Sequence, residues 1–198
     1  MDIEKTLASL RDRGFKASCF KTAEEAKNYI AASIAGATVG IGGSVTVTQM
    51  GLGEKLAENN KVFWHHTVPG PETYEKAATA DVYISSVNAV AETGELVNID
   101  GRGNRVASTL YGHKRLILVT GTNKITPNLE SAVFRARNVA APKNAARLKR
   151  ETPCAVKADK CYDCRSPQRI CNGLVIMMAP MLCFEETEVV LINQELGL

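Results

Sequence analysis

The sequence predicts an α/β protein with three layers and a largely parallel sheet. Short apolar strands alternate with amphipathic helices along most of the chain, and this order is typical of parallel sheets covered by helices. The segment RLILVTG at 115–121 is apolar enough for a fully buried strand. With 198 residues, 45% hydrophobic and 23% charged, the chain is long enough for one domain, 1–198, with a sizeable core.

The first half of the chain supplies the clearest alternation. Ile3, Leu7 and Leu10 recur at helical spacing, and Thr22 with Glu25 forms a capping box that opens a second helix after a short strand. An apolar strand that runs into glycines is predicted at 37–44, and further strands are predicted at 61–66 and 81–86. Helices are predicted after Ser44 and at 71–79, where Pro71 suits a first helical turn.

The second half is less regular. Turn residues surround a short apolar run within 88–107, which predicts a hairpin or loop crossing the edge of the sheet. A helix is predicted at 128–139, and the basic run ARLKRE at 146–151 is interpreted as the solvated face of a short helix. VVLIN at 189–193 is expected to be the last strand. Cys19 and Cys183, among apolar neighbours, are expected to be buried.

Charge and hydropathy exclude two classes of partner. The formal net charge is only +3, and no dense basic stripe interleaved with aromatic residues predicts nucleic-acid binding. The N-terminus is charged throughout and does not resemble a signal peptide. The most apolar run, at 173–184, is too short to span a bilayer and is interrupted by Pro180. We therefore expect a cytoplasmic protein without membrane insertion, in which thiols stay reduced.

The predicted strand segment at 37–44 runs into a glycine turn that leads to a helix. Gly42 and Gly43 let the backbone approach a ligand closely, and Ser44 and Thr46 add hydroxyl groups at the start of a helix. This arrangement predicts a site for a phosphate or carboxylate. The turn carries neither the dinucleotide-binding spacing of glycines nor the lysine of a phosphate-binding loop. A tight turn without a ligand is the alternative interpretation.

Polar residues in the middle of the chain are the candidates for catalysis. Glu92 precedes a glycine turn, where a carboxylate can project into a cleft as a base or nucleophile, and Asn88 and Asp100 lie close to it in the sequence. Lys124 follows the end of a buried strand, a typical position for an anion-binding lysine. We expect Glu92 and Ser44 to face one cleft. The alternative is ordinary turn chemistry, in which Asn, Asp and Gly occur without any catalytic role.

The three histidines are interpreted as structural or exposed rather than catalytic. His65 and His66 follow another predicted strand, and their spacing fits no metal-binding motif. His113 lies in the short segment YGHKR.

A cysteine-rich loop is predicted at 152–173. Its spacing, C-x6-C-x2-C-x6-C, comprises Cys154, Cys161, Cys164 and Cys171. Four thiolates suit either tetrahedral zinc or an iron–sulfur cluster, and the spacing matches neither the ferredoxin pattern nor the zinc ribbon. Arg165 and Arg169 within the loop would stabilise a cluster of net negative charge, which favours iron–sulfur. Zinc, disulfides and free structural thiols remain as alternatives.

Three segments together resemble the LUD (lactate utilisation) domain family, of LutC/YkgG type. They are GIGGSVTVTQMGL, DVYISSVNAVAETGELVNIDGRGNRVA and ILVTGTNKITPNLESAVFRARN, in this order and spacing. The resemblance implies a fold like that of CoA transferases, ribose-phosphate isomerase and glucosamine-phosphate deaminase (the NagB/RpiA/CoA-transferase-like fold). It implies that Gly40–Ser44 holds a phosphate or acyl group. It also makes Glu92 the nearest counterpart of the CoA-transferase nucleophile, although the residues around Glu92 do not match that motif.

The same resemblance implies oxidation of L-lactate to pyruvate by multi-subunit complexes. Our first hypothesis is a redox subunit of 2-hydroxy-acid oxidation that carries a cluster of the 4Fe–4S type and passes electrons to a partner protein. The second is non-redox binding or transformation of a phosphorylated or CoA-linked metabolite, with a structural zinc. Both hypotheses need a small anionic metabolite and allow a homo-oligomer. A third possibility is an assembly or regulatory subunit without chemistry of its own, so catalysis by this chain is left open.

Overall fold

The computed structural model describes residues 1–198, and its ten strands form two sheets. The strands are β1 (Lys16–Phe20), β2 (Thr38–Ile41), β3 (Lys61–Trp64), β4 (Val82–Ser85), β5 (Ala89–Ala91), β6 (Leu96–Asp100), β7 (Arg115–Gly121), β8 (Ile125–Thr126), β9 (Gly173–Met177) and β10 (Glu186–Ile192). The helices are α1 (Ile3–Asp12), α2 (Ala23–Ala32), α3 (Val45–Met50), α4 (Leu52–Ala57), α5 (Pro71–Ala78), α6 (Asn104–Leu110), α7 (Leu129–Arg135), α8 (Ala141–Arg147) and α9 (Pro153–Lys157).

The larger sheet has six strands in the order β1-β10-β7-β4-β2-β3, and every neighbouring pair is parallel. Its central strands β4 and β7 are aligned so that Ile84 faces Ile117. The predicted mixed α/β fold with a largely parallel sheet is therefore confirmed. Parallel strands all end at the same edge, so the loops that follow β2, β4 and β7 meet on one side of the molecule.

Side chains alternate between two apolar cores on the two faces of this sheet. Ile41, Ile84 and Ile117 point to the face that is covered by α2, α3 and α4. Leu116 and Leu118, one residue out of phase with Ile117, point to the opposite face, where they pack against α1 and the second sheet. Burial of both faces explains why RLILVTG has no polar alternation.

The second sheet was not predicted from the sequence. Its four strands lie in the order β8-β5-β6-β9, and β5 and β6 form the antiparallel hairpin expected within 88–107. The hairpin does not cross the edge of the larger sheet, because it packs on that sheet's face as part of a second layer. Helices α7 and α8, joined by a π-helical turn at Ala136–Ala140, cover the outer side of this layer through Ala132 and Ala136.

Several local predictions differ from the structure. The helix after Ser44 is divided into α3 and α4, because Gly51 between them has a left-handed φ of +61°. Cys19 and Cys183 are exposed rather than buried, since Cys19 lies on the edge strand β1 and Cys183 lies in a turn. The cysteine-rich loop contains the short helix α9. None of the helices has the length and apolar character needed to cross a membrane.

Gly40 in β2 provides a test of how closely α5 packs on the larger sheet. A Cβ atom at this position would overlap the backbone carbonyl oxygen of Ala77 in α5 and lie 3.0 Å from Cδ2 of Tyr83. We expect Gly40→Ala to lower the free energy of unfolding by about 2 kcal/mol, since overpacking forces backbone shifts. Chemical denaturation measures this loss.

Gly173→Ala is the matched control for that substitution. Gly173 also lies in a strand, but its nearest neighbour to an added Cβ atom, the carbonyl oxygen of Asp100, is 3.9 Å away. The control should change the unfolding free energy by less than about 0.5 kcal/mol. Equal losses in the two variants would contradict close packing at Gly40.

Candidate functional site

A cleft of about 490 Å³ opens where the carboxyl ends of β2, β3 and β4 meet the second sheet. Residues from both sheets, from α8 and from the cysteine-rich loop line it. Six of the lining side chains are cationic, namely Arg102, Arg105, Lys124, Arg147, Arg150 and Arg169. Its single carboxylate is Asp100. We call this site the basic cleft.

Lys124 belongs to the floor of the basic cleft. A 3-10 turn after β7 carries it, and its side chain is only 3% exposed. The ammonium Nζ lies 3.0 Å from Oγ1 of Thr46, 3.1 Å from Oγ of Ser86 and 3.2 Å from the carbonyl oxygen of Val87. Burial, and then the nearby charges of Arg135 and Arg105, lower the pKa of Lys124 to about 7. At neutral pH a substantial fraction of this amine is therefore uncharged.

Arg105 of α6 joins the loops that surround Lys124. Its guanidinium donates to the carbonyl oxygen of Ser86 at 3.2 Å, to Oδ1 of Asn98 at 2.6 Å and to the carbonyl oxygen of Ile99 at 2.6 Å. Its Nε atom lies 3.4 Å from Oδ2 of Asp100. These partners belong to the ends of β4 and β6, so Arg105 connects the two sheets at the cleft.

Asn88 and Asp100, which the sequence analysis selected, both line the basic cleft. The Asn88 Oδ1 atom accepts from the backbone N–H of Ile99 at 2.8 Å and from Arg105 at 3.4 Å. The Asp100 Oδ1 atom accepts from the backbone N–H groups of Arg102 and Gly103, each at 3.0 Å. Both side chains thus shape the loop that presents Arg102.

The predicted anion-binding turn forms part of the wall. Gly43, Ser44 and Thr46 line the cleft, whereas Gly42 lies behind it. A Cβ atom on Gly42 would come within 3.0 Å of Cγ of Arg105, so this position has to remain small. The Ser44 hydroxyl accepts from the N–H of Val47 at 3.2 Å and therefore caps α3.

His65 and His66 line the basic cleft. His65 is half-buried, and His66 is exposed, which was one of the two predicted possibilities. The ring of His65 stacks on Tyr74 with centroids 4.7 Å apart, and the guanidinium of Arg102 lies 4.5 Å from the Tyr74 ring. Burial lowers the pKa of both histidines, and the charge of Arg102 adds to this effect on His65. The signal that could have identified them is their position directly after a parallel strand, the rule that selected Lys124.

The run ARLKRE is exposed along its whole length, as predicted, and it also borders the cleft. Arg147, the last residue of α8, and Arg150, which follows the helix, line the rim of the cleft with exposed side chains. A helix at 128–139 was expected to end before this run, and the π-helical turn instead carries it on to Arg147.

The expectation that Glu92 faces the same cleft is wrong. Glu92 follows β5, which belongs to the second sheet, and it does not line the basic cleft. Its carboxylate accepts from the backbone N–H of Asp2 at 2.9 Å and from Nζ of Lys5 at 3.1 Å. These contacts lower the pKa of Glu92 and keep it ionised. It binds the start of α1 to the second sheet.

The cysteine-rich loop forms the remaining wall through Arg169 and Ile170. All four cysteines are free and partly buried, and residues 158–172 contain neither helix nor strand. The N–H of Asp163 donates to Sγ of Cys161 at 3.3 Å, and Arg169 donates to Sγ of Cys171 at 3.6 Å. Such donors suit thiolate ligands, so the chemistry of the donor set fits a soft metal or a cluster. No three His, Cys, Asp or Glu side chains are grouped around one point in a way that could hold a metal ion.

The lowered pKa of Lys124 makes stability depend on pH above neutrality. Between pH 7 and pH 9 the unfolded chain keeps the proton of Lys124, with its ordinary pKa of 10.5, while the folded chain loses it near pH 7. Because the unfolded state then binds more protons, the free energy of unfolding should rise with pH, by about 2 kcal/mol over this interval. Denaturant titrations at the two pH values measure the rise.

Lys124→Met should abolish this rise, whereas Lys143→Met, which removes an exposed lysine of α8, should keep it. An identical pH dependence in all three proteins would show that Lys124 holds its proton throughout.

Comparisons with known proteins identify the family of the chain. A search of curated proteins finds no match. Among solved structures, the crystal structure of a DUF162 family protein from Deinococcus radiodurans matches with a TM-score of 0.56 and 13% sequence identity, over 96% of each chain. At this identity the match supports the fold. The family model of the LUD domain matches residues 3–192, and the chain therefore belongs to the LUD domain family.

Proposed function

We propose that this LUD-domain protein binds a small anionic metabolite in the basic cleft and takes part in the oxidation of a 2-hydroxy acid such as lactate. The observation that carries the proposal is the charge of the cleft, where five arginine side chains and the partly protonated Lys124 face a single acidic side chain. That carboxylate, Asp100, already has Arg105 as a partner. The remaining positive charge attracts an anion from solution and favours its binding.

Residues of the cleft divide into two roles in this proposal. Arg102, Arg147 and Arg150 at the rim bind the carboxylate of the metabolite. His65 and His66 are neutral at pH 7 because burial lowers the pKa of each, so either can accept the proton of the substrate hydroxyl. The family association with lactate utilisation makes a 2-hydroxy acid the first substrate class to test.

We further propose that the cysteine-rich loop binds an iron–sulfur cluster, of the 4Fe–4S type, through Cys154, Cys161, Cys164 and Cys171. A bound cluster would supply one-electron transfer. Cys161, Cys164 and Cys171 lie in residues 158–172, which have no regular structure. The loop can therefore bring these three thiols toward Cys154 of α9 without breaking a helix or strand. Oxidation of a 2-hydroxy acid releases two electrons, so the proposal includes a partner protein as electron acceptor.

A second candidate function is binding or transformation of a phosphorylated or CoA-linked metabolite, with zinc at the cysteines. The size of the cleft, about 490 Å³, and its number of arginines favour this candidate, because both exceed what a three-carbon acid requires. Similarity of the fold to the NagB/RpiA/CoA-transferase-like proteins would support it as well, since these act on such substrates.

Metal analysis separates the two candidates. Protein purified without oxygen should contain about four iron and four sulfide per chain, with a broad absorption band that dithionite bleaches. Cys161→Ser should lose most of this iron. Cys19→Ser, which removes an exposed thiol far from the loop in sequence, should retain it. About one zinc per chain without visible absorption would contradict the cluster and support the second candidate.

Removal of rim charges tests the anion site. The double variant Arg102→Gln/Arg147→Gln should weaken binding of lactate, pyruvate or phosphate about tenfold, equivalent to about 1.4 kcal/mol for two partly solvated ion pairs. Isothermal titration calorimetry measures the dissociation constants. Lys61→Gln/Lys143→Gln removes the same charge from exposed positions outside the cleft and should leave binding unchanged. Equal weakening in both double variants would show only a general effect of net charge.

A further inference from the structure

We propose that Lys124 is a nucleophile that forms an imine with the carbonyl group of a 2-oxo acid bound in the basic cleft. The inference deepens the proposed function, because a 2-oxo acid is the oxidised counterpart of a 2-hydroxy acid. It assigns covalent chemistry to a residue that the proposed oxidation does not use.

The surroundings of Lys124 are the first argument. A lysine that is 97% buried normally has a carboxylate partner, because an isolated buried ammonium is costly. Here all three hydrogen-bond partners of Nζ are neutral oxygens, from Thr46, Ser86 and Val87. Asp100, the cleft's only carboxylate, is paired with Arg105 instead. The site therefore suits an amine that loses its proton.

Neighbouring charges are the second argument. The guanidinium groups of Arg105 and Arg135 both disfavour a proton on Lys124, and neither can lose its own proton. Together with burial they bring the pKa of the amine to about 7, a value at which it is nucleophilic in neutral solution. The same two positive charges favour a carboxylate next to the amine, which is where the acid group of a 2-oxo acid would lie.

The C-terminal residues supply the third argument, because they cover the amine. The N–H of Leu196 donates to Oδ1 of Asn123 at 3.1 Å, and the N–H of Gly197 donates to Oε1 of Gln49 at 2.7 Å. A Cβ atom on Gly197 would lie 2.7 Å from Nζ of Lys124, and its φ of +72° favours glycine. This close cover limits access of water, which would otherwise hydrolyse an imine.

The proposed step balances without an oxidant or reductant. The neutral amine attacks the carbonyl carbon, so that an N–C bond forms and the carbonyl oxygen takes up a proton, giving a carbinolamine. The proton on that oxygen comes from the amine. A second proton, from solvent, is added to the hydroxyl group, so that the C–O bond breaks with loss of one water molecule and a protonated imine remains. Hydroxyl groups of Thr46 and Ser86, at 3.0 Å and 3.1 Å from Nζ, are placed to transfer the protons. Addition of water reverses the reaction.

Trapping by reduction tests the imine. The protein is incubated with pyruvate or 2-oxoglutarate and cyanoborohydride, and peptide mass spectrometry locates the adduct. We expect one reduced adduct per chain, on Lys124, formed faster as the pH rises through about 7. Lactate, which has no carbonyl group, should give none. Lys124→Arg, whose guanidinium cannot form an imine, should abolish the adduct, whereas Lys143→Arg, which removes an exposed lysine of α8, should keep it.

Two results would overturn the inference. One is an adduct spread over exposed lysines, equal in Lys124→Arg and the unsubstituted protein. The other is the lack of an adduct on Lys124. If 2-oxo acids nevertheless bind, only the imine is wrong; if neither they nor lactate bind, the proposed function fails with it.

Discussion

The partly buried guanidinium of Arg105 makes the contacts on which the rest of the site depends. It accepts no bond and donates to backbone and amide oxygens at the ends of β4 and β6, which belong to different sheets. Without a cation at this point, several buried oxygens would lose their donors, at a cost of about 1–3 kcal/mol for each. The cleft therefore has its shape because one charge satisfies the polar ends of two sheets.

The placement of Arg105 also accounts for the unusual electrostatics around Lys124. The permanent charge of Arg105, which the ends of the two sheets require, lies near the amine of Lys124. Only Asp100 offers partial neutralisation. Sequences whose local and global interactions favour the same structure avoid placing two cations close together in the protein interior. Exceptions to this rule are concentrated at functional sites. The repulsion between these charges is lowered either by loss of the proton from Lys124 or by binding of an anion in the cleft. Both outcomes agree with a site that receives negatively charged metabolites.

The parts of the fold that follow from local periodicity could be predicted, and those that follow from packing between layers could not. The pattern of apolar strands and capped helices predicted β2, β4 and β7 correctly. The rule that ligands bind at the carboxyl ends of parallel strands placed Ser44 and Lys124 at the same edge of the sheet. The second sheet depends on the pairing of β6 with β9, which are more than seventy residues apart, and no local pattern reports such a pairing. For this reason Glu92 was wrongly expected to share a cleft with Ser44.

The pairing of β6 with β9 also connects the cysteine-rich loop to the cleft. Asp100 pairs with Gly173, and the N–H of Asn172 donates to the carbonyl oxygen of Asp100 at 2.9 Å. The end of the loop is thereby held beside the carboxylate partner of Arg105. Its other contacts include two exposed hydrogen bonds between Gln168 and Glu151, a hydrogen bond from the N–H of Cys161 to Oδ1 of Asn138 at 3.2 Å and an exposed ion pair of Asp163 with Arg137. A rearrangement that gathers the thiols would thus move Arg169 and Ile170 in the cleft wall and leave the strand pairing intact, because the firm attachment begins at Asn172.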